Sequence, residues 1–287
     1  MRIALILLIL SCLIGFALAG QNREFKIRTL EKLGNELSRR DEISAQAEDV
    51  VLATQPAAHA VKMRGWISEL SSNGDKVHLI AETPSGFCLA YTVKFKNREK
   101  PEVEDHRGEP LPTAVATRFQ ARKNALAAVH DKLFADVAYN CEVLDDPDGR
   151  GFLVYVLAAT KEKNEILTGG HYRVTVSADG SKIEHVDLLS QLIRQPRLNG
   201  DKETVAVSAT QLSSNLPVET WLYSSHLYSL PMYVGCKDGS IWAVANGRIV
   251  RANKKGPKNH LDILNGKAPE IYPDEQKRKT KGSKLSN

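Results

Sequence analysis

The sequence predicts an α+β protein in which an antiparallel sheet wraps one long helix, with N-terminal helices before it and a β-meander after it. Three observations predict this. A stretch from about Ala114 to Val137 carries Phe119, Leu126, Val129, Leu133 and Val137 on one face at helical period. Four strand-like segments follow it: Tyr139 to Leu144, Phe152 to Thr160, His171 to Ser177 and Lys182 to Leu188. Near the C-terminus, Asp238-Gly239 and Asn246-Gly247 divide "LPMYVGCKDGSIWAVANGRIV" into three short apolar runs, as two-residue hairpin turns do.

The elements are justified in chain order. Residues 1–19, "MRIALILLILSCLIGFALA", have one positive residue, Arg2, an unbroken apolar run and a small-residue end at Ala17-Leu18-Ala19, the pattern of a secretory signal peptide cleaved before Gly20. The run is short for a membrane span, and it stays apolar well past Cys12, which argues against a lipid-modified cysteine. Residues 20–56 form an N-terminal helical segment with Phe25, Leu30, Leu33 and Leu37 on one stripe, a break at Arg39-Arg40, a restart behind Asp41 and a stop at Pro56. Residues 57–190 form the α+β roll. Its first strands are Val61 to Leu70, Lys76 to Glu82 and Phe87 to Phe95, and the stretch "NREKPEVEDHRGEPLPT" is a surface connection to the long helix. Arg118, Arg122, Lys123, Asp131 and Lys132 make that helix's solvated side. "FLVYVLAA" is apolar at every position from Phe152 to Ala159 and reads as a strand buried on both faces.

In the meander unit, residues 200–252, a two-residue turn at Asp238-Gly239 sets Val234 opposite Ala243 and Met232 opposite Ala245. Tyr233, Trp242, Val244 and Ile249 then share the reverse face, with Tyr233 and Trp242 as an interaction surface. Residues 253–287 read as a basic, disordered tail: they hold nine Lys/Arg and four Asp/Glu, whereas 20–251 hold 29 and 30, so the net charge of +5 comes from the tail and the leader. The tail has no aromatic interleaving to stack on bases, so specific nucleic-acid binding is not expected. Removal of the leader leaves Cys88, Cys141 and Cys236. In an oxidising compartment Cys88 and Cys141, on the strands that enter and leave the long helix, are the expected disulfide.

The order strand, long helix, four strands resembles a cystatin-like roll over residues 85–190. "GGHYRVTVSADGSKIEHVDL" resembles the strand-turn-strand end of PepSY-type modules of exported bacterial proteins, and the whole chain resembles exported bacterial proteins of unassigned function. The resemblance implies a module that presents strand edges and loops to a partner, and it carries over no functional residue. "YVGCKDGSIWAV" resembles one blade segment of a quinoprotein-type β-propeller; without a second copy it reads as a hairpin.

Candidate chemistry is sparse. The chain has no Gly-x-Ser-x-Gly elbow, His-Glu-x-x-His pair, phosphate loop or Cys-x-x-Cys pair, so no catalytic, cofactor-binding or metal-ligating residue and no cofactor is expected. "DDPDGRG", Asp145 to Gly151, lacks calcium-loop spacing and reads as a hairpin turn. His171 and His185 fall about 10 Å apart along the hairpin, too far to share a metal. Ser190, His171 and Asp187 make a triad only on paper. In a regular ladder about Asp179-Gly180, Val186 and Leu188 would face away from Val174 and Tyr172; a β-bulge at Glu184-His185 restores the pattern and turns His185 outward. The functional expectation is an exported, periplasmic or secreted, non-catalytic binding or assembly module for a protein or envelope polymer, touching the membrane only through its leader. The alternative is an envelope hydrolase with a site assembled from distant residues in the helix-sheet cleft, which requires a pocket where a nucleophile, a histidine and a carboxylate converge.

Overall fold

A computed structural model describes residues 23–96, 101–160, 162–198, 204 and 206–252; the expected leader and basic tail lie outside them. No helix among the described residues is long and apolar enough to cross a membrane. The α+β class holds, and the architecture repeats: three times a helix precedes an antiparallel meander. Helix α1 (Ile27–Thr54) precedes β1 (Met63–Glu69), β2 (Asp75–Thr83), β3 (Gly86–Phe95) and β4 (Glu102–Glu109), which pair in that order. Helix α2 (Thr113–Val129) precedes β5 (Ala138–Asp145), β6 (Gly151–Ala159), β8 (Tyr172–Ser177) and β9 (Ile183–Leu188), again in that order, while β7 (Glu165–Thr168) pairs with β10 (Ile193–Pro196). Helix α3 (Thr220–Tyr228) precedes β12 (Met232–Cys236), β13 (Ile241–Ala245) and β14 (Arg248–Ala252), and β11 (Val207–Gln211) joins β12 in parallel. The sheet on α2 is thus built from strands that follow the helix; β3, which the sequence placed with them, belongs to the first sheet.

Helix α1 does not break at Arg39-Arg40. Its first half buries Leu30, Leu33 and Leu37 in one core, its second half Ile43, Ala47 and Val51 in another. The apolar stripe changes core at the arginines, and both are held there: Arg39 donates to Asp75 Oδ2 from Nε at 3.0 Å, and Arg40 to Glu36 Oε1 at 2.8 Å and to the Ser68 carbonyl. A Cβ at Gly34 would lie 2.6 Å from Leu222 Cβ and 2.7 Å from the Glu219 carbonyl, so the glycine marks where α3 crosses α1 at backbone distance.

Helix α2 ends earlier than its pattern suggested, and a 3₁₀ turn, His130–Lys132, follows it. Arg122 is not on a solvated face. Its guanidinium lies over the Trp66 ring and donates to the carbonyls of Cys141 and Arg64, which stitches the edge of β1 to β5. Strand β6 is buried on both faces as its sequence requires: Phe152, Val154 and Val156 meet α2, while Leu153, Tyr155 and Leu157 join the core shared with α1 and α3. At ~1.5–3 kcal/mol per fully buried apolar side chain, this strand is the main seam of the protein.

Of the two hairpin expectations, the first matches the observed register and the second matches it only at its last turn. The bulge is present: Val174 faces Val186, Tyr172 faces Leu188, and the register shifts between Thr175 and Val176. In the last sheet Asn246 and Gly247, both at positive φ, make a two-residue turn as expected. At Asp238-Gly239 the loop has three residues instead, closed by Cys236 N–H to Ser240 O at 2.8 Å, with Gly239 left-handed. One extra residue flips the partner strand: Val234 faces Trp242 and Tyr233 faces Ala243, so Trp242 joins Met232 and Val234 in the core while Tyr233 lies on the outer face beside Val250.

The expected Cys88–Cys141 disulfide is not formed. All three thiols are free and buried, Cys88 in the core of the first sheet and Cys141 in that of α2, because the strands flanking the helix enter different sheets.

Candidate functional site

On β8 alternate residues divide between faces. Tyr172, Val174 and Val176 point to α2, so Arg173 points to the opposite core. Its ladder partners are Tyr155 on β6 and Asp187 on β9, which sets phenol, guanidinium and carboxylate side by side. Glu219, just before α3, completes the cluster. Arg173 donates to Asp187 Oδ2 from Nε at 3.1 Å and Nη2 at 2.8 Å, and to Glu219 Oε1 from Nη1 at 2.7 Å; Tyr155 OH donates to the same Oε1 at 2.6 Å. All four side chains are buried. The flanking carboxylates hold the Arg173 proton against the cost of burial, and burial beside Glu219 pushes the Tyr155 phenol well up.

The segment before α1 closes over this cluster. The Arg23 carbonyl accepts from Arg173 Nη2 at 2.7 Å, and the Phe25 ring lies between two guanidiniums, 4.5 Å from Arg23 and 5.0 Å from Arg173. Arg23 itself forks onto Asp146 and also reaches Asp148, in the β5–β6 turn that the sequence identified as a hairpin. Beside it opens a cleft lined by Glu24, Phe25, Leu30, Leu216, Val218 and Glu219, among others.

A second polar cluster ties α1 to the sheets. Glu142 on β5, fully buried, accepts from Ser44 Oγ, Trp66 Nε1 and Ser68 Oγ at 2.9, 2.6 and 2.7 Å. Asp41 accepts from Asn140 Nδ2 at 2.9 Å and Tyr223 OH at 3.2 Å. Burial raises both carboxyls.

The histidines do not converge. His171 is buried; its Nδ1 accepts the Ala158 N–H at 3.0 Å, its Nε2 lies 3.4 Å from Ser224 Oγ, and burial depresses it to about 3, so the ring is neutral. His185 lies at the bulge with its side chain 40% exposed and Nε2 2.9 Å from Asp187 Oδ1. Ser190 Oγ is buried without a hydrogen-bond partner among the described residues, and Asp187 serves Arg173 and His185, so the paper triad is not assembled. Among the described residues no group of three or more His, Cys, Asp or Glu could hold a metal. Trp242 is 5% exposed and donates to Ser240 Oγ at 2.9 Å, so it cannot share an interaction surface with Tyr233 on the other face.

Sequence reasoning missed Arg173, Tyr155, Glu219 and Arg23. A signal for one pair existed: the register that the bulge imposes sets Arg173 opposite Asp187. Nothing local marks Glu219, which arrives from another unit. No protein-family model matches the chain, and no curated protein does. Among solved structures it is similar to the Bacillus megaterium YpeB C-terminal domain, at 14% identity over 59% of this chain and 68% of that one; the TM-score of 0.18 does not establish a common fold. The fold and site define the class only: an α+β protein of three helix-and-sheet units clamped by buried charge.

Proposed function

We propose that the chain is an exported, non-catalytic binding or assembly module for a protein or envelope polymer, with residues 1–19 removed before Gly20 and the mature protein in the periplasm or outside the cell. The observation that carries this reading is the way the interior chemistry is used. The buried ionisable groups are taken up by partners within the fold: Arg173 binds Asp187 in its own sheet and Glu219 from the next unit, Glu142 is held by Ser44, Trp66 and Ser68, and His171 is occupied by a backbone N–H. Such groups hold a scaffold, and action falls to its surfaces. The exposed, charge-rich β4 is an edge of the first sheet and offers a strand for addition. The test is affinity capture from envelope extract with the chain from Gly20 onward as bait, under mild cross-linking. A saturable protein or polymer partner is expected. Capture of nothing, with the chain recovered from the cytoplasm carrying its leader, would overturn the reading.

A further inference from the structure

Each of the first two sheets has helices on both faces. Helix α1 covers one face of the first sheet with Ile43, Ala47 and Val51, while Ile67 and Ile80 on the other face join α2 in a second core. The second sheet lies between α2 and the core shared with α1 and α3. The last sheet differs. Met232, Val234 and Val244 meet α3 on one face, but the apolar cluster on the other, Ala243 and Ala245 with Tyr233 and Val250, includes no helix residue. In the ladder Tyr233, Ala243 and Val250 form one row of that face, and Gly235, Ile241 and Ala252 the next. Neither row carries a charge, whereas an antiparallel sheet face left to water turns polar residues outward. Ala243 and Ala245 are closed to solvent, at 1% and 5% exposure, and their apolar neighbours among the described residues belong to the same layer. The face is built for a further layer.

On the first two sheets the helix of the following unit supplies that layer, α2 for the first and α3 for the second. After the last sheet the chain itself continues. It leaves β14 at Ala252, which pairs with Ile241 on this face, and residues 253–287 follow, outside the described ones. Within them "HLDILNG", residues 260–266, sets Leu261, Ile263 and Leu264 close together behind Gly256-Pro257, a pair that turns a chain. We propose that this segment, through Leu261, Ile263 and Leu264, covers the outer face of the last sheet. Reach is sufficient: the residues between Ala252 and Leu261 can span ~25 Å, and a four-stranded sheet is only ~14 Å across. Tethering favours this occupant over a free one, because a short linker presents the segment at an effective concentration on the order of millimolar. The third unit is then completed by its own chain, and this face is withheld from other proteins.

The test is paramagnetic broadening in the isotope-labelled chain from Gly20 onward, with a nitroxide on Asp262→Cys; the native thiols are buried and stay unlabelled. The amide signals of Tyr233, Ala243 and Val250 should lose most of their intensity, and those of Val77 and Val93 in the first sheet should keep theirs. Adding Leu261→Ser and Leu264→Ser should restore them. Without the nitroxide, the same two serines should shift the signals of Ala243 and Ala245 and leave Val77 and Val93 in place, which guards against a label that itself disturbs the contact. A mixture of nitroxide-bearing chain without isotope and isotope-labelled chain without nitroxide should show no broadening. Broadening in that mixture would give the face to a second copy and overturn the proposal. Broadening that survives both serines would also overturn it, as would full intensity at Tyr233 and Ala243 together with no shift from the serines; the face would then be open to a partner protein.

Discussion

Replacing Arg173 with methionine tests how the units are held together. The side chain is wholly inaccessible and makes four hydrogen bonds: two to Asp187 Oδ2, one to Glu219 Oε1 and one to the Arg23 carbonyl. Methionine fills much of the volume and removes the charge, so two buried carboxylates are left facing each other without a cation. Removing one partner of a buried pair costs ~3–5 kcal/mol, and the lost hydrogen bonds are part of that figure. Two neighbours soften it. His185 Nε2 lies 2.9 Å from Asp187 Oδ1, and Tyr155 still donates to Glu219, so the lower end, about 3 kcal/mol, is expected. Against a total stability of ~5–15 kcal/mol the change is large. Urea unfolding followed by circular dichroism reads it as a drop in midpoint at constant slope. Adding Asp187→Leu to Arg173→Met should recover part of the loss, since a like-sized apolar residue replaces a stranded charge. A cost below ~1 kcal/mol at unchanged slope would refute the view that this cluster clamps the sheet to α3.

Four other outcomes follow from the geometry. His171 is depressed from 6.5 to about 3, so the folded state resists its protonation: its contribution is full above 6.5 and is lost as pH falls toward 3, at up to ~1.4 kcal/mol per pH unit. Asp41 and Glu142 are raised and act with opposite sign, favouring the folded state as they protonate. Comparing wild type with His171→Asn, which keeps an acceptor near the Nδ1 position, isolates the histidine; parallel stability-versus-pH curves would contradict it. Gly34→Ala should destabilise by ~1–3 kcal/mol despite alanine's better helix propensity, because its Cβ meets Leu222 at 2.6 Å; a gain in melting temperature would show that α1 and α3 separate freely. Cys141 and Cys236, pushed up to about 12 by burial, should react with a thiol reagent only as the protein unfolds, and rapid native labelling of either would contradict their placement. His185→Gln should cost no more than about 1 kcal/mol, with a larger thermal shift counting against its position at the bulge.

Features were legible where one physical constraint dominated. The unbroken apolar run of β6 can be satisfied only between two cores, and it lies between them. The phase change between Glu184 and Val186 required a bulge, because a regular ladder would have buried polar residues and exposed apolar ones. Where two loop lengths fit the same residues the sequence was ambiguous. Asp238-Gly239 suits both a two-residue turn and the last positions of a three-residue loop, and the wrong choice moved Trp242 from core to surface. Arg39-Arg40 looked like a break because buried arginines are rare without partners, and theirs, Asp75 and Ser68, lie in the next unit. Glu219 was invisible for the same reason: its role is set by β6 and β8, far away in sequence. The Cys88–Cys141 pairing failed because proximity to one helix in sequence says nothing about which sheet each strand enters.

The central proposal is that this protein binds a partner and does not cleave it. The most direct measurement follows the mass of the partner captured from envelope extract during incubation with excess purified chain over several hours. The account predicts a saturable complex and a partner of unchanged mass, with wild type and His171→Asn indistinguishable. A partner shortened progressively by the wild type and left intact by His171→Asn would contradict it.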